Sequence, residues 1–274
     1  MLESGIHRDL PMQDYLDDEA IGSSSLCKIS STPADYKAAL TAPHKDSKPL
    51  IFGTMAHSKM LEPDTFYDYY IDEIDFGNCR KKENKEKKDE WLKLHDGKII
   101  VSASDKAALE KIEKAANQHD ELCEILMNGV MNVEITGIAE FAKHLTPGGL
   151  RLKTREDIIS DGWIYDIKTT SSPVTDIGIA RTIMKYQYHL KAAHHTQVMR
   201  RAGLDIKGFG WIFVTTNQDA CHIVVKKLSE ALLQASIDKH MELLSLLARC
   251  TKTDSWPGYS QKVEEIKELK GLNC

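Results

Sequence analysis

The Asp161-Gly162 pair constrains this chain more than any other feature. It lies between two runs in which apolar residues alternate, Leu150 to Ser160 and Trp163 to Thr170. A two-residue type I′ turn needs positive φ at both central positions, and Asp-Gly supplies it at low cost. With those residues as the turn, Ser160 pairs with Trp163, and Asp157 falls opposite Asp166. Strand period two then puts Lys168 on the same face as Asp166.

The rest of the pattern fills in around that hairpin. Val133 to Lys143 reads as a preceding strand, separated by the turn signal Thr146-Pro147-Gly148-Gly149. Asp176 to Arg201 reads as one long helix closed by Gly203, Phe209 to Thr216 and Ala220 to Lys227 as strands, and Ser229 to Arg249 as a helix with a leucine stripe. Upstream, helices are predicted near Ala34 to Leu40, over Phe52 to Glu62 ahead of Pro63, and from about Ser104 to Met127 behind a serine cap. A strand meander followed by a helix and another strand predicts an α/β fold whose central mixed β-sheet is flanked by helices. Residues 1–50, punctuated by Ser23-Ser24-Ser25, Pro33, Pro43 and Pro49, are expected to form an N-terminal arm packing on a single domain of residues 51–274.

Charge and cysteine content narrow the classes. The net charge of −5 neither predicts nor excludes a nucleic-acid partner, so distribution matters more. The first twenty residues hold six acids against Arg8, whereas Arg80 to Lys98 packs eight basic among five acidic residues and reads as a solvated helix face. The six cysteines are scattered, without metal-ligand spacing, which argues against a disulfide framework, a zinc site or an iron–sulfur cluster. No apolar run is long enough to span a bilayer and the N-terminus lacks a basic front, so no membrane role and a cytoplasmic location are expected. Met1 opening an ordered-looking arm suggests a complete short form.

Two carboxylates facing each other on a ladder repel, so such a placement needs a cation or a raised pKa. A divalent metal supplies the cation, and the carbonyl of Ile167 between Asp166 and Lys168 can turn toward the same ion. Carboxylates holding Mg²⁺ or Mn²⁺ beside a lysine suit phosphodiester hydrolysis, the oxygen donors favouring these ions over zinc. The competing reading is an exposed hairpin whose acids sit apart, since a one-residue slip of the turn breaks the facing.

These residues resemble a known pattern. Asp157 followed by Asp166-Ile167-Lys168-Thr169-Thr170 is similar to the (P)D…(D/E)xK signature of restriction-endonuclease-like nucleases. Phe52-Gly53-Thr54-Met55-Ala56-His57, Leu61-Glu62-Pro63, Ser31-Thr32-Pro33-Ala34, Tyr188-His189-Leu190 and Asp254-Ser255-Trp256-Pro257 extend the resemblance to the exodeoxyribonuclease VIII, or RecE-type, family from about Gly5 onward. The resemblance implies a restriction-endonuclease-like core and a Mg²⁺-dependent exonuclease, with Mn²⁺ able to substitute. Such an enzyme degrades double-stranded DNA ends 5′ to 3′ and leaves 3′ single-stranded tails for a RecT-type annealing protein. It further implies metal ligation by His57, Asp157, Asp166 and the carbonyl of Ile167, and catalysis by Asp157, Asp166 and Lys168. His57 read alone is a satisfied helix histidine; its Gly-x-x-x-His context points to the metal.

The chain departs from the family in the next helix. A Tyr-x-x-Gln pattern is usual there, whereas Lys191 follows Tyr188 here, and His195 stands where a tyrosine is frequent. Lysine can still hold phosphate as a point charge. Lys153, Arg155, Lys185, Tyr188 and Lys191 are the candidate DNA contacts. Because −5 argues against diffuse binding by a monomer, the ring assembly of the family, here expected as a homotetramer, would supply retention. Two other readings stay open: a catalytically silent DNA-end-binding or recombinase-loading subunit, and a metal-dependent endonuclease of the same fold.

Overall fold

A computed structural model describes residues 1–42, 47–129, 132–143, 149–216 and 220–263. Three strands form where the alternation predicted them: β4 (Val133–Phe141), β5 (Leu150–Ser160) and β6 (Trp163–Thr170). Asp161 and Gly162 both adopt positive φ, 50° and 80°, as the turn requires, and the ladder pairs Ser160 with Trp163, Ile159 with Ile164 and Ile158 with Tyr165. Of the turn signal Thr146-Pro147-Gly148-Gly149, all but Gly149 lies outside the described residues.

Five further strands are present among the described residues: β1 (Gly5–His7), β2 (Tyr70–Asp72), β3 (Ile99–Val101), β7 (Gly208–Thr215) and β8 (Ile223–Lys227). The main sheet runs β1-β4-β5-β6-β7-β8. All neighbours are antiparallel except β6 and β7, which are parallel over their whole length, so the sheet is mixed. The arm is therefore part of the sheet, contributing its edge strand, and Ile21 makes a further bridge to Leu152.

The helices are α1 (Met12–Asp17), α2 (Ser23–Ile29), α3 (Pro33–Ala39), α4 (Lys48–Leu61), α5 (Phe66–Tyr69), α6 (Lys82–Leu94), α7 (Ala103–Asn117), α8 (Asp120–Gly129), α9 (Asp176–Lys185), α10 (Tyr188–Arg201) and α11 (Glu230–Thr253). Serine caps set three starts: Ser47 accepts from the Leu50 amide, Ser102 from Asp105 and Ser229 from Leu232. Two helices expected to be continuous are broken. The stretch from Ser104 to Met127 divides where His119 Nδ1 accepts the Leu122 amide, and that from Asp176 to Arg201 divides at Gln187, whose φ is 55°. Neither break carries glycine or proline, so the local pattern gave no warning.

Helices cover both faces. On one, Met55, Phe66, Leu109, Ile112, Leu122 and Ile125 pack on Ile158, Tyr165, Ile167, Ile212 and Val214. On the other, α10 and α11 cover Ile135, Ile164, Phe209, Trp211 and Phe213, and with α2 they cover Phe141 and Leu152. Among the described residues no helix is long and apolar enough to cross a membrane.

Candidate active site

The site begins at an irregularity in two strands. Ile135 packs against α10, yet Val133, two residues away, packs on the opposite face with α4 and α8; likewise Glu156 binds His195 of α10 whereas Ile158 lies in the other core. Residues two apart in a regular strand share a face. Here the faces switch between them, and the ladder pairs 133 with 158 and 135 with 156, skipping Glu134 and Asp157. Glu134 has φ 55°, a left-handed conformation costly for a non-glycine residue inside a strand and common at functional sites.

The second irregularity is on the other side of Asp157. The β5–β6 ladder ends at Ile158 and Tyr165. The Ile167 amide, which a continued ladder would direct at the Glu156 carbonyl, instead donates to Asp157 Oδ2 at 2.7 Å. A side-chain carboxylate thus replaces a main-chain acceptor, and the two strands part. The turn register is the expected one. Asp166 Oδ1 takes Lys168 Nζ at 2.5 Å.

Helix α4 completes the group. Gly53 sits against β6, where a Cβ would come 3.2 Å from Thr169 Oγ1, and one turn later His57 Nε2 lies 3.1 Å from Asp157 Oδ1 and 3.3 Å from Glu134 Oε1. Glycine at that position lets the helix approach close enough for the histidine to reach. Donor atoms of His57, Glu134 and Asp157 all lie within 4.8 Å of one another. One imidazole nitrogen and two carboxylates at that separation make a donor set that fits a divalent cation.

The electrostatics match a site built for positive charge. Burial opposes charge on His57, but Asp157, through its charge and hydrogen bond, and then Glu134 hold its pKa up at about 9. Burial would raise Asp157; the His57 imidazolium, its hydrogen bond, Lys168 and the Ile167 amide together keep it well below the usual carboxylate range. Burial outweighs His57 and Arg155 at Glu134, which is raised, and burial followed by the Asp157 charge raises Asp166 despite Lys168. Lys168 is raised because Asp166 and Asp157 overcome its burial.

Glu134 was not among the residues predicted from sequence. It lies opposite Asp157 only once the β4–β5 register is known, and the long connection between those strands left that register undetermined. Arg155 holds Glu134 through a charged hydrogen bond and also donates to the Leu10 carbonyl at 2.7 Å. Its guanidinium therefore positions an acid and anchors the arm.

The remaining predicted DNA contacts separate. Lys153 is not brought to the site: it is 8% exposed, and its ammonium is taken by the carbonyls of Tyr15, Leu16 and Asp18. The reason is the acidic arm, which lies over β5, where Arg151 also binds Asp18 and the Leu2 carbonyl. Tyr188 and Lys191 do line the cleft, and the ammonium groups of Lys168 and Lys191 each lie 5.5 Å from the Tyr188 ring. Lys185 is exposed, 5.0 Å from the ring of Tyr186. His195 is spent in a buried pair with Glu156 at 2.8 Å and meets Ser23 on its other nitrogen.

All this opens into a cleft of about 2000 Å³ lined by His57, Glu134, Arg155, Asp157, Ile167 and Lys168, with walls from the arm, α4, α7 and the start of α10. A mixed sheet whose strands part to present Asp157 and the Asp-Ile-Lys triplet beside a group of donors that could hold a cation defines the PD-(D/E)xK nuclease class. The chain matches the model of one family of that class, the PDDEXK-like domain of unknown function, over residues 22–269, and belongs to it. Among solved structures it resembles a "putative exonuclease" from Eubacterium rectale, with a TM-score of 0.60 at 14% identity, covering 96% of this chain and 97% of that one. A phage-related exonuclease from Haemophilus somnus is matched with a TM-score of 0.31 at 12% identity, over 88% and 99% of the two chains. No curated protein sequence matches.

Proposed function

We propose that this chain is a divalent-metal-dependent exodeoxyribonuclease of the RecE type. It digests duplex DNA from 5′ ends and leaves 3′ single-stranded tails for a RecT-type annealing partner. The observation that carries the reading is that one cleft is lined by the His57, Glu134 and Asp157 donors and by Lys168, whose ammonium is held by Asp166.

Those three side chains, with the Ile167 carbonyl as the further ligand that the family resemblance implies, would hold Mg²⁺ or Mn²⁺; the imidazole is the donor that makes Mn²⁺ the easier substitute. A bound ion would supply Lewis-acid polarisation of the phosphate and a water of lowered pKa. The chain's residues do the rest. Lys168 presents an ammonium to the negative charge that grows on the phosphate, and Asp166 fixes where that ammonium points. Asp157, pinned by the Ile167 amide, keeps its second oxygen toward His57. Arg155 keeps Glu134 from turning away.

The complete set of cation donors, lysine and acid favours an enzyme over a silent end-binding subunit. Exonuclease against endonuclease is decided by the substrate: linear duplexes labelled at the 5′ or the 3′ end, with a closed circular control, each with and without Mg²⁺. Release of 5′ label and an intact circle are the expected result. Cleavage of the circle overturns the exonuclease reading, and an inert protein overturns the enzyme. Ring assembly belongs to the same reading: light scattering should report several times 30.9 kDa, a tetramer being expected, and a strict monomer would remove the ring while leaving the metal site untouched.

A further inference from the structure

Deep in the cleft stand Lys168 and Lys191, both over the ring of Tyr188. Outward from them the line continues to Tyr186, whose ring stacks on Tyr188 with centroids 5.6 Å apart and planes inclined by 24°. Both tyrosines line the cleft, and Tyr186 is 50% exposed. The helix break at Gln187 creates this arrangement. Its left-handed residue, held by Ser30 through the side-chain carbonyl, ends α9 and restarts α10, so two tyrosines two residues apart are stacked. On an unbroken helix residues two apart do not face each other.

We propose that Tyr186 is a stacking platform for an unpaired nucleobase of the strand being cut. This deepens the nuclease reading and rests on it. A half-exposed aromatic ring braced by a second ring is a rigid apolar surface, and every base has a face that stacks on such a surface whatever the sequence. A base inside a duplex has both faces covered by its neighbours, so only a frayed or single-stranded nucleotide can use the platform. The charges around it suit the same occupant. Lys191 forms no ion pair among the described residues and rests over Tyr188, while Lys185, an exposed residue, covers Tyr186 with its ammonium. A base arriving on Tyr186 displaces that ammonium, and the flanking phosphates then meet Lys185 on the outside and Lys191 on the inside. The strand would thus be drawn, base by base, out of its duplex and toward Lys168.

The test uses the full chain in EDTA, which stops cleavage, with a single-stranded oligonucleotide carrying 2-aminopurine near its 5′ end. Wild type should quench the fluorescence on binding. Tyr186→Ala should lose the quenching and bind roughly tenfold more weakly. Tyr186→Phe, which keeps the ring, should retain both properties, and a melting temperature of the alanine variant close to wild type shows that its loss is not a folding defect. With Mg²⁺, wild type should prefer duplexes with two mismatched terminal pairs over blunt ones, and Tyr186→Ala should raise KM with little change in kcat. An alanine variant that binds, quenches and cuts like wild type overturns the platform and leaves the nuclease standing. A wild-type protein that neither binds nor cuts DNA overturns both.

Discussion

The buried pair His194 and His240 sets how this fold responds to acid. His194 Nε2 lies 3.0 Å from the Lys153 carbonyl, which can only accept, so that nitrogen carries the proton. Neutral His194 then has a bare Nδ1, which receives the His240 Nε2 proton at 3.2 Å. The chain of donors ends at His240 Nδ1, which is buried and has no partner among the described residues. Protonation there would create a buried N–H with no acceptor. Burial, and next the charge of His195, accordingly pull the His240 pKa down to about 4. His194 is depressed in the same direction by burial and by both histidine neighbours.

The sign follows from comparison with an unfolded histidine at about 6.5. Between pH 6.5 and 4 the unfolded chain binds a proton that folded His240 refuses, so stability falls as pH falls through that window. At pH 5 this amounts to about 2 kcal/mol for His240 alone, from a pKa gap of about 2.5 units. His240→Gln keeps a donor for His194 Nδ1 and removes the titration. Urea unfolding at pH 7.5, 6.5, 5.5 and 5.0 should find the variant within about 1 kcal/mol of wild type at the highest pH and gaining on it by about 2 kcal/mol at the lowest. Parallel curves for the two proteins across the whole range would refute the donor-chain argument.

Asp157→Ala, Asp166→Ala and Lys168→Ala should each lower the cleavage rate by at least about a hundredfold, and wild-type rates in Asp157→Ala would sink the site. Facing carboxylates read from sequence imply that removing an Asp leaves the metal-free protein no less stable. The structure reverses this for Asp157, which accepts the Ile167 amide and pairs with His57, so Asp157→Ala should melt lower, by about 1–3 kcal/mol, in calorimetry with EDTA. Gly53→Ala should push α4 off Thr169 and slow cleavage by displacing His57, and adding Thr169→Ala should restore it; an unrescued double variant would break the link between Gly53 and the histidine. Ca²⁺ should compete for the site yet support little cleavage while Mn²⁺ supports it, and activity persisting in EDTA with residual metal excluded by analysis would remove the metal from the mechanism.

Local chemistry was enough to place the hairpin. Asp161-Gly162 sets the turn, and alternation around it fixes which residues are strand and which partners meet next to it, so Asp157, Asp166 and Lys168 are legible in the sequence as neighbours. Gly53 and His57 were legible as a spacing, one helical turn apart, although what they touch was not. Glu134 was invisible because its role depends on the pairing of β4 with β5 across a connection that carries no register, and on a left-handed residue that no side-chain preference announces. Charge misled at Lys153, since a lysine on a strand beside the site looks like a phosphate contact until a folded-back arm offers it three carbonyls. The break at Gln187, and with it the Tyr186–Tyr188 stack, likewise came from tertiary contact: Ser30, more than 150 positions away in the chain, holds the residue that ends one helix and begins the next. Turns and periodicity are short-range and survive in the sequence. Carboxylate convergence, arm docking and helix interruption are long-range, and only packing decides them.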